Sequence, residues 1–186
     1  MQHEFPGQDL TIRRLWRADL SEITAHFLRL DPETRRLRFG TVRKDEAVRR
    51  HARETIGAAS VDFGAFAGAR LRGLAELRGW FCHWPPMAEA AFSVEREWQD
   101  AGIGEALFDR LVAAAQNRGI RRLYMICLRE NGRMQHLARK HDALLEFDIG
   151  EVEARLHPPY PTPYSLSAEF MGETRSFART VLRLPA

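Results

Sequence analysis

The run Gln99-Asp100-Ala101-Gly102-Ile103-Gly104-Glu105-Ala106 has the residue types and spacing of a phosphate cradle. The stretch before it, Met87 to Glu95, reads as a strand. The stretch after it places Ile103, Ala106, Leu107, Leu111, Ala114 and Ala115 on one helical stripe, which Gly119 closes. Glycine lets a backbone approach a ligand closely. The unpaired N–H groups of a helix's first turn, at the positive end of its dipole, then hold a pyrophosphate without a cationic side chain. Two other phosphate loops fail on specific residues. A P-loop needs Gly-Lys-Ser/Thr where Gly104-Glu105-Ala106 stands, and a dinucleotide fingerprint needs a small residue where Leu107 stands, in the first strand-helix unit of its sheet. A plain strand-to-helix turn remains the competing reading.

Composition bounds the rest. The chain has 186 residues, 45% hydrophobic and 28% charged, which suits one globular domain with a real core. No apolar run reaches the roughly 18 residues of a membrane helix, and Met1-Gln2-His3-Glu4-Phe5-Pro6 lacks a secretion signal, so a cytoplasmic location is expected, with no membrane partner. Cys82 and Cys127 stand far apart with no patterned histidines, which predicts buried thiols and neither a disulfide framework nor a metal site. The net charge is +3, carried by scattered arginines such as Arg13-Arg14, Arg35-Arg36 and Arg121-Arg122 beside acidic residues. A nucleic-acid binder concentrates its charge in a stripe, so no nucleic-acid partner is expected.

The elements that must position the loop follow from periodicity. Leu10 to Leu15 reads as a strand and Arg17 to Leu30 as a helix with Leu20, Ile23, Phe27 and Leu30 inward. Asp31 caps a second helix, with Pro32 at its first position and Gly40 as its stop. A third helix spans about Lys44 to Ile56. Ser60 to Ala67 and Arg70 to Trp80 flank Gly68-Ala69 as a hairpin, and Met87 to Glu95 follows as the next strand, making the middle of the chain antiparallel. Leu123 to Leu128 is apolar on both faces, as expected of a central strand in a parallel pair reached by a helical crossover. Asn131 to Lys140 reads as a helix, then Leu144 to Ile149 and Val152 to Leu156 as strands.

The spacing Gln99-x-x-Gly102-x-Gly104 resembles the acyl-CoA-binding motif of the GNAT N-acetyltransferases, and the element order from residue 10 to 157 is similar to theirs. Asn131-x-x-Met134-x-x-Leu137 resembles a second family segment, whose asparagine contacts the pantetheine or pyrophosphate of the ligand; on its own, Asn131-Gly132 reads as a turn and helix cap. The resemblance implies an α/β (α+β) fold with a mixed sheet of about six to seven strands, antiparallel in its first half. A parallel, splayed pair of strands lies around the acyl-CoA site, with helices on the flanks. It implies acetyl-CoA as co-substrate without a metal, bound by Phe92, Ser93, Val94, Gln99, Asp100, Ala101, Gly102, Ile103, Gly104, Glu105, Ala106, Asn131 and Met134. Pyrophosphate would rest on the amides from Ala101 to Gly104. Many members carry tyrosine where Ala138 stands, to protonate the leaving thiolate, so the usual general acid is missing.

A narrower resemblance lies in Leu30 to Phe39 and in Ala88-Glu89-Ala90-Ala91-Phe92-Ser93-Val94, which look like the catalytic domain of bacterial protein lysine acetyltransferases. In that group a glutamate matching Glu89 is the base. An ammonium of pKa near 10.4 must lose a proton before it can attack a thioester, which a partly desolvated carboxylate can accept, while strand amides around Ser93 and Val94 polarise the acyl oxygen. Alternation puts Glu89, Ala91, Ser93 and Glu95 on one side of the strand, making Glu95 the rival base. The expected function is acetyl transfer to a primary amine, protein lysine or small molecule, by direct attack in a ternary complex. The alternative is a non-catalytic acyl-CoA-binding regulatory module. Residues 158–164, rich in proline, read as a linker after a domain of residues 1–157, and residues 165–186 as a C-terminal helical extension that docks on its own domain, covers a cleft or pairs a homodimer. Tyr160 or Tyr164 is a candidate for the absent acid.

Overall fold

The computed structural model describes residues 10–57, 60–80, 85–167 and 169. Cys82 and the greater part of the C-terminal extension lie outside the described residues. Seven strands form one sheet in the order β1-β2-β3-β4-β5-β7-β6. They are β1 (Leu10–Arg14), β2 (Ser60–Ala67), β3 (Arg70–Trp80), β4 (Met87–Val94), β5 (Arg122–Leu128), β6 (Leu144–Phe147) and β7 (Glu151–Leu156). Neighbours pair antiparallel except β4 and β5, which run parallel. Their pairing covers only Met87, Ala88 and Glu89 of β4 against Arg122, Leu123 and Tyr124 of β5. Beyond Glu89 the two strands part, and that splay organises the site.

The helices are α1 (Leu20–Arg29), α2 (Pro32–Phe39), α3 (Asp45–Thr55), α4 (Ile103–Asn117) and α5 (Gly132–Lys140). The helix expected from Arg17 instead begins as a 3-10 turn, Arg17–Asp19, because the Asp19 carboxylate is drawn back onto the Trp16 N–H at 2.9 Å and the Arg13 guanidinium. α2 starts as its sequence predicts, with Asp31 accepting from the N–H groups of Glu33 and Thr34, both at 3.1 Å. No described helix is long and apolar enough to cross a membrane.

Two cores occupy the two faces of the sheet. On one, Leu107, Phe108 and Leu111 of α4 pack on Phe63, Leu77 and Ala90, joined by Ala138 of α5 and Met125 of β5. On the other, Ile23 and Phe27 of α1 and Val48 and Ala52 of α3 pack on Phe66, Leu71 and Leu74. Gly73 of β3 makes the first core close: a Cβ there would lie 3.0 Å from Ile103 Cγ2 and 3.2 Å from Leu107 Cδ1. A missing side chain on β3 therefore seats the first turn of α4.

β5 departs from its sequence reading. Leu123, Met125 and Cys127 are buried, but Ile126 is 52% exposed. The second core is built from α1 and α3 on the first strands of the sheet, so the same face of β5 stays open. The strand is apolar on both sides because its open face, with Ile126 and Leu128, lines one side of a cleft.

Candidate functional site

β4 carries the site. The Glu95 N–H donates to the Arg72 carbonyl at 2.9 Å, and in a regular antiparallel ladder this parity turns the N–H groups of Glu89, Ala91 and Ser93 toward β3 as well. Those of Phe92 and Val94 then point into the splay. The Val94 carbonyl lies on that same side and accepts from Gln99 Nε2 at 2.9 Å, so Gln99 ties the end of β4 to the glycine loop. Ser93 differs from its expected part in acyl binding: its amide faces β3 and its hydroxyl is buried against His26 Nε2 at 2.9 Å. The Phe92 ring packs toward Phe108, 5.4 Å between centroids, anchoring β4 on α4.

The loop after β4 has the backbone of an anion cradle. Gly102, at φ 78, precedes the helix and offers its carbonyl to the Ala106 N–H at 3.0 Å. That conformation strongly favours glycine. Among the described residues no hydrogen bond takes the N–H groups of Ala101, Gly102, Ile103 or Gly104. A Cβ at Gly104 would meet no other part of the fold within 4 Å, so that side of the first turn is open. Across the splay, Asn131 caps α5, its Oδ1 accepting from the Met134 N–H at 3.1 Å, and Met134 is half-buried against the first core. Glu105 and Ala106 lie within α4, Glu105 reaching Lys140 at 2.6 Å and Ala106 buried.

The two glutamates on β4's acceptor side have different surroundings. Glu89 and Ala91 line a cleft of about 540 Å³, with α2 and α3 on one side and Ile126, Leu128 and Glu151 on the other. Among the described residues Glu89 has no hydrogen-bond or ion-pair partner, although Arg78 stands opposite it on β3. Arg78 turns instead to Glu76, at 2.9 Å. Glu95 sits just past the strand and is enclosed: it accepts from Arg29 Nε at 2.8 Å and Arg72 Nη1 at 2.6 Å and lies 3.2 Å from His26 Nδ1. Burial pushes its carboxyl upward, but the hydrogen bonds from His26, Arg72 and Arg29 outweigh it and hold the group at about 2. Such a carboxylate is a weak base, and it stands outside the cleft lining. Burial drives the His26 imidazole below its ordinary value despite Glu95, and the charge on Arg29 adds to the lowering.

The sequence reading missed the floor of the cleft. Glu76, fully buried on β3, is bound by Arg38, Arg78, His51 and Thr55. Burial opposes its ionisation, yet the charge on Arg38 and the His51 hydrogen bond hold it well below the carboxylate range. Asp62, facing it on β2, is nearly as buried, with Oδ1 unpartnered and Oδ2 accepting from Ser60 Oγ at 2.9 Å. Burial first, and then the charge on Glu76, push its carboxyl up to about 8. The legible signal was a lone carboxylate inside each apolar strand, Asp62 in Val61–Phe66 and Glu76 in Leu74–Leu77.

Ala138 is buried in the first core, so no acid stands at that position. Neither described tail tyrosine replaces it. Tyr160 lies under the Arg121 guanidinium, 3.8 Å from its centroid, and its carbonyl accepts from Gln116 at the far end of α4. The 15 residues of α4 place that end about 22 Å from the glycine loop. Tyr164 is 83% exposed and already part of a helical turn that begins at residue 163, inside the stretch expected to be an extended linker. Asn117 and Arg118 hold that turn through Ser165 and Glu169.

This arrangement is that of a known family. Residues 32–142 match the model of the acetyltransferase (GNAT) family, and the chain belongs to it. Among solved structures, the GNAT domain of S. lividans PAT is similar at 22% identity and a TM-score of 0.67, over 78% of this chain and 89% of that one. Spermidine N-acetyltransferase from Vibrio cholerae, solved with CoA and spermine, matches at 20% identity and a TM-score of 0.63, over 80% and 95%. The ribosomal L7/L12 alpha-N-protein acetyltransferase RimL, in complex with coenzyme A, matches at 16% identity and a TM-score of 0.62, over 83% and 96%. The fold is the one expected, and in this chain the mixed sheet, expected to have about six to seven strands, has seven, with one parallel, splayed pair.

Proposed function

We propose that the protein transfers an acetyl group from acetyl-CoA to a primary amine, with Glu89 as the general base. The observation that carries this reading is the contrast between the two glutamates. Glu89 lies in a cleft beside the point where β4 and β5 part, without a partner among the described residues, whereas Glu95 is consumed by His26, Arg29 and Arg72. The residues present fit an acyl-CoA: four backbone donors with open space at Gly104, and a strand edge whose Phe92 and Val94 amides have no pairing strand. Bound acetyl-CoA supplies an activated thioester. Glu89 takes the ammonium proton, directly or through a water, and frees the amine to attack. The Phe92 and Val94 amides donate to the carbonyl oxygen as it gains charge. A thiol of pKa near 8.5 leaves readily around neutral pH, so the absence of a tyrosine at residue 138 is tolerable.

Amine acceptors also suit the relatives, whose names include spermidine and a ribosomal protein α-amine. The second reading, an acyl-CoA-binding module without turnover, is favoured only by the buried Ala138. Release of free thiol from acetyl-CoA, measured over a panel of polyamines, amino acids and lysine peptides, separates the two. Turnover with any amine supports the enzyme; tight acetyl-CoA binding with thiol release no faster than hydrolysis across the panel supports the module.

A further inference from the structure

The loop at the end of β4 is clamped to α5 across the splay. Arg133 Nη2 and Nε donate to Asp100 Oδ2 and Oδ1 at 2.9 and 3.1 Å, a two-pronged pair. Asp100 holds its carboxylate there from a left-handed backbone, φ 60, and with Asp142 it is one of the non-glycine residues at positive φ among those described. The two side chains are 65% and 71% exposed. A pair this exposed contributes little to stability, so the strained backbone beneath it calls for another explanation.

Position supplies one. Asp100 directly precedes the four free amides from Ala101 to Gly104, and Arg133 stands two residues after Asn131, on the opposite wall. A planar guanidinium makes with phosphate the same two-pronged contact that it makes with carboxylate. We propose that Arg133 is a phosphate-binding residue of the acyl-CoA site and that Asp100 is its stand-in anion in the free protein. On binding, the guanidinium exchanges the Asp100 carboxylate for a phosphate of the ligand, and on release it returns. One charge-assisted pair replaces another, and the phosphate, with the greater charge, makes the stronger one. The exchange also leaves Asp100 as an uncompensated negative charge beside the bound phosphates, which lowers the affinity for acetyl-CoA and coenzyme A alike.

The inference rests on the acyl-CoA reading above and is tested so that the two fail differently. Calorimetric affinities are measured for coenzyme A, 3′-dephospho-coenzyme A and pantetheine with the wild-type chain, Arg133→Gln and Asp100→Asn, with thermal melts to confirm folding. Arg133→Gln is expected to weaken coenzyme A about tenfold, the worth of one charged hydrogen-bonded contact, and to leave pantetheine unchanged. If the loss vanishes with the dephospho ligand, the partner is the 3′-phosphate; if it persists, the partner is the pyrophosphate. Asp100→Asn is expected to bind coenzyme A several-fold more tightly. Wild-type affinity in Arg133→Gln overturns the proposal, and so does an Asp100→Asn variant as weak as Arg133→Gln, which would make the pair a structural clamp. A wild-type chain with no affinity for coenzyme A overturns the acyl-CoA reading itself.

Discussion

Gly104→Val separates the ligand's need for the glycine loop from the fold's need. Gly104 is in the first turn of α4, and a Cβ there would meet no other part of the fold within 4 Å. Adding an isopropyl group therefore creates no clash, and exchanging glycine for a better helix former favours the folded state by a few tenths of a kcal/mol. A melting temperature within about 2 °C of wild type follows for a domain of this size. On the acyl-CoA reading, phosphate approaches the amides of this first turn. Holding it off by the width of a methyl group removes at least two charge-assisted hydrogen bonds at about 1.5 kcal/mol each, so affinity for acetyl-CoA should fall by a hundredfold or more. Calorimetry gives the affinity directly, and the ligand-induced rise in melting temperature should disappear in parallel. Gly104→Ala should fall between. A folded Gly104→Val that binds acetyl-CoA as tightly as wild type would place the cradle elsewhere.

Other consequences follow from the buried charges. Asp62 rises from 3.8 unfolded to about 8 folded, so its contribution to stability is complete below the unfolded value and is lost as pH climbs toward 8. Asp62→Asn should remove this slope and be more stable than wild type at pH 8 by several kcal/mol, at about 1.4 per pH unit, with the gap closing toward pH 4; a constant gap in denaturant titrations would contradict the assignment. Glu95 moves the other way, from 4.5 to about 2, so its contribution is present above the unfolded value and is lost as pH falls toward 2. Glu95→Gln strands Arg29 and Arg72 and should cost about 3 kcal/mol at neutral pH, while the pH dependence of amine acetylation keeps its shape; a loss of activity without a loss of stability would restore Glu95 as the base. Gly73→Ala, which must displace Ile103 or Leu107, should destabilise by about 1–3 kcal/mol and weaken acetyl-CoA binding by shifting the first turn of α4.

The order of elements was legible because each carried its own local signal. Asp31-Pro32 and Gly40 bracket α2, the Ser60–Ala67 and Arg70–Trp80 hairpin matches its strand limits, and the pair Gly102 and Gly104 marks the turn into α4. What stayed hidden depends on contacts distant in sequence. Alternation placed Glu89 and Glu95 on one side of β4, but only the packing of α1 brings His26 and Arg29 onto Glu95 and leaves Glu89 to the cleft. Whether Leu123–Leu128 would be covered on both faces depended on how far α1 and α3 reach across the sheet, which no property of that run encodes. His26 lies on the apolar stripe of α1 with Ile23 and Phe27, where helical spacing disguises a polar group as core. The Glu76 cluster draws on α2, α3 and β3, and a single buried carboxylate in β3 was its only local trace.

The most direct test of the central claim is turnover by Glu89→Gln, measured against pH with an amine acceptor found in the thiol-release panel. Glutamine keeps the size of the side chain and does not touch the glycine loop. Acetyl-CoA affinity should therefore stay at the wild-type value, while kcat near neutral pH falls by about a hundredfold or more, the usual worth of one acid-base group. The deficit should shrink as pH approaches the pKa of the amine, because the acceptor then arrives already deprotonated. A Glu89→Gln variant with wild-type kcat at neutral pH, or one whose deficit is the same at every pH, would contradict the assignment of Glu89 as the base.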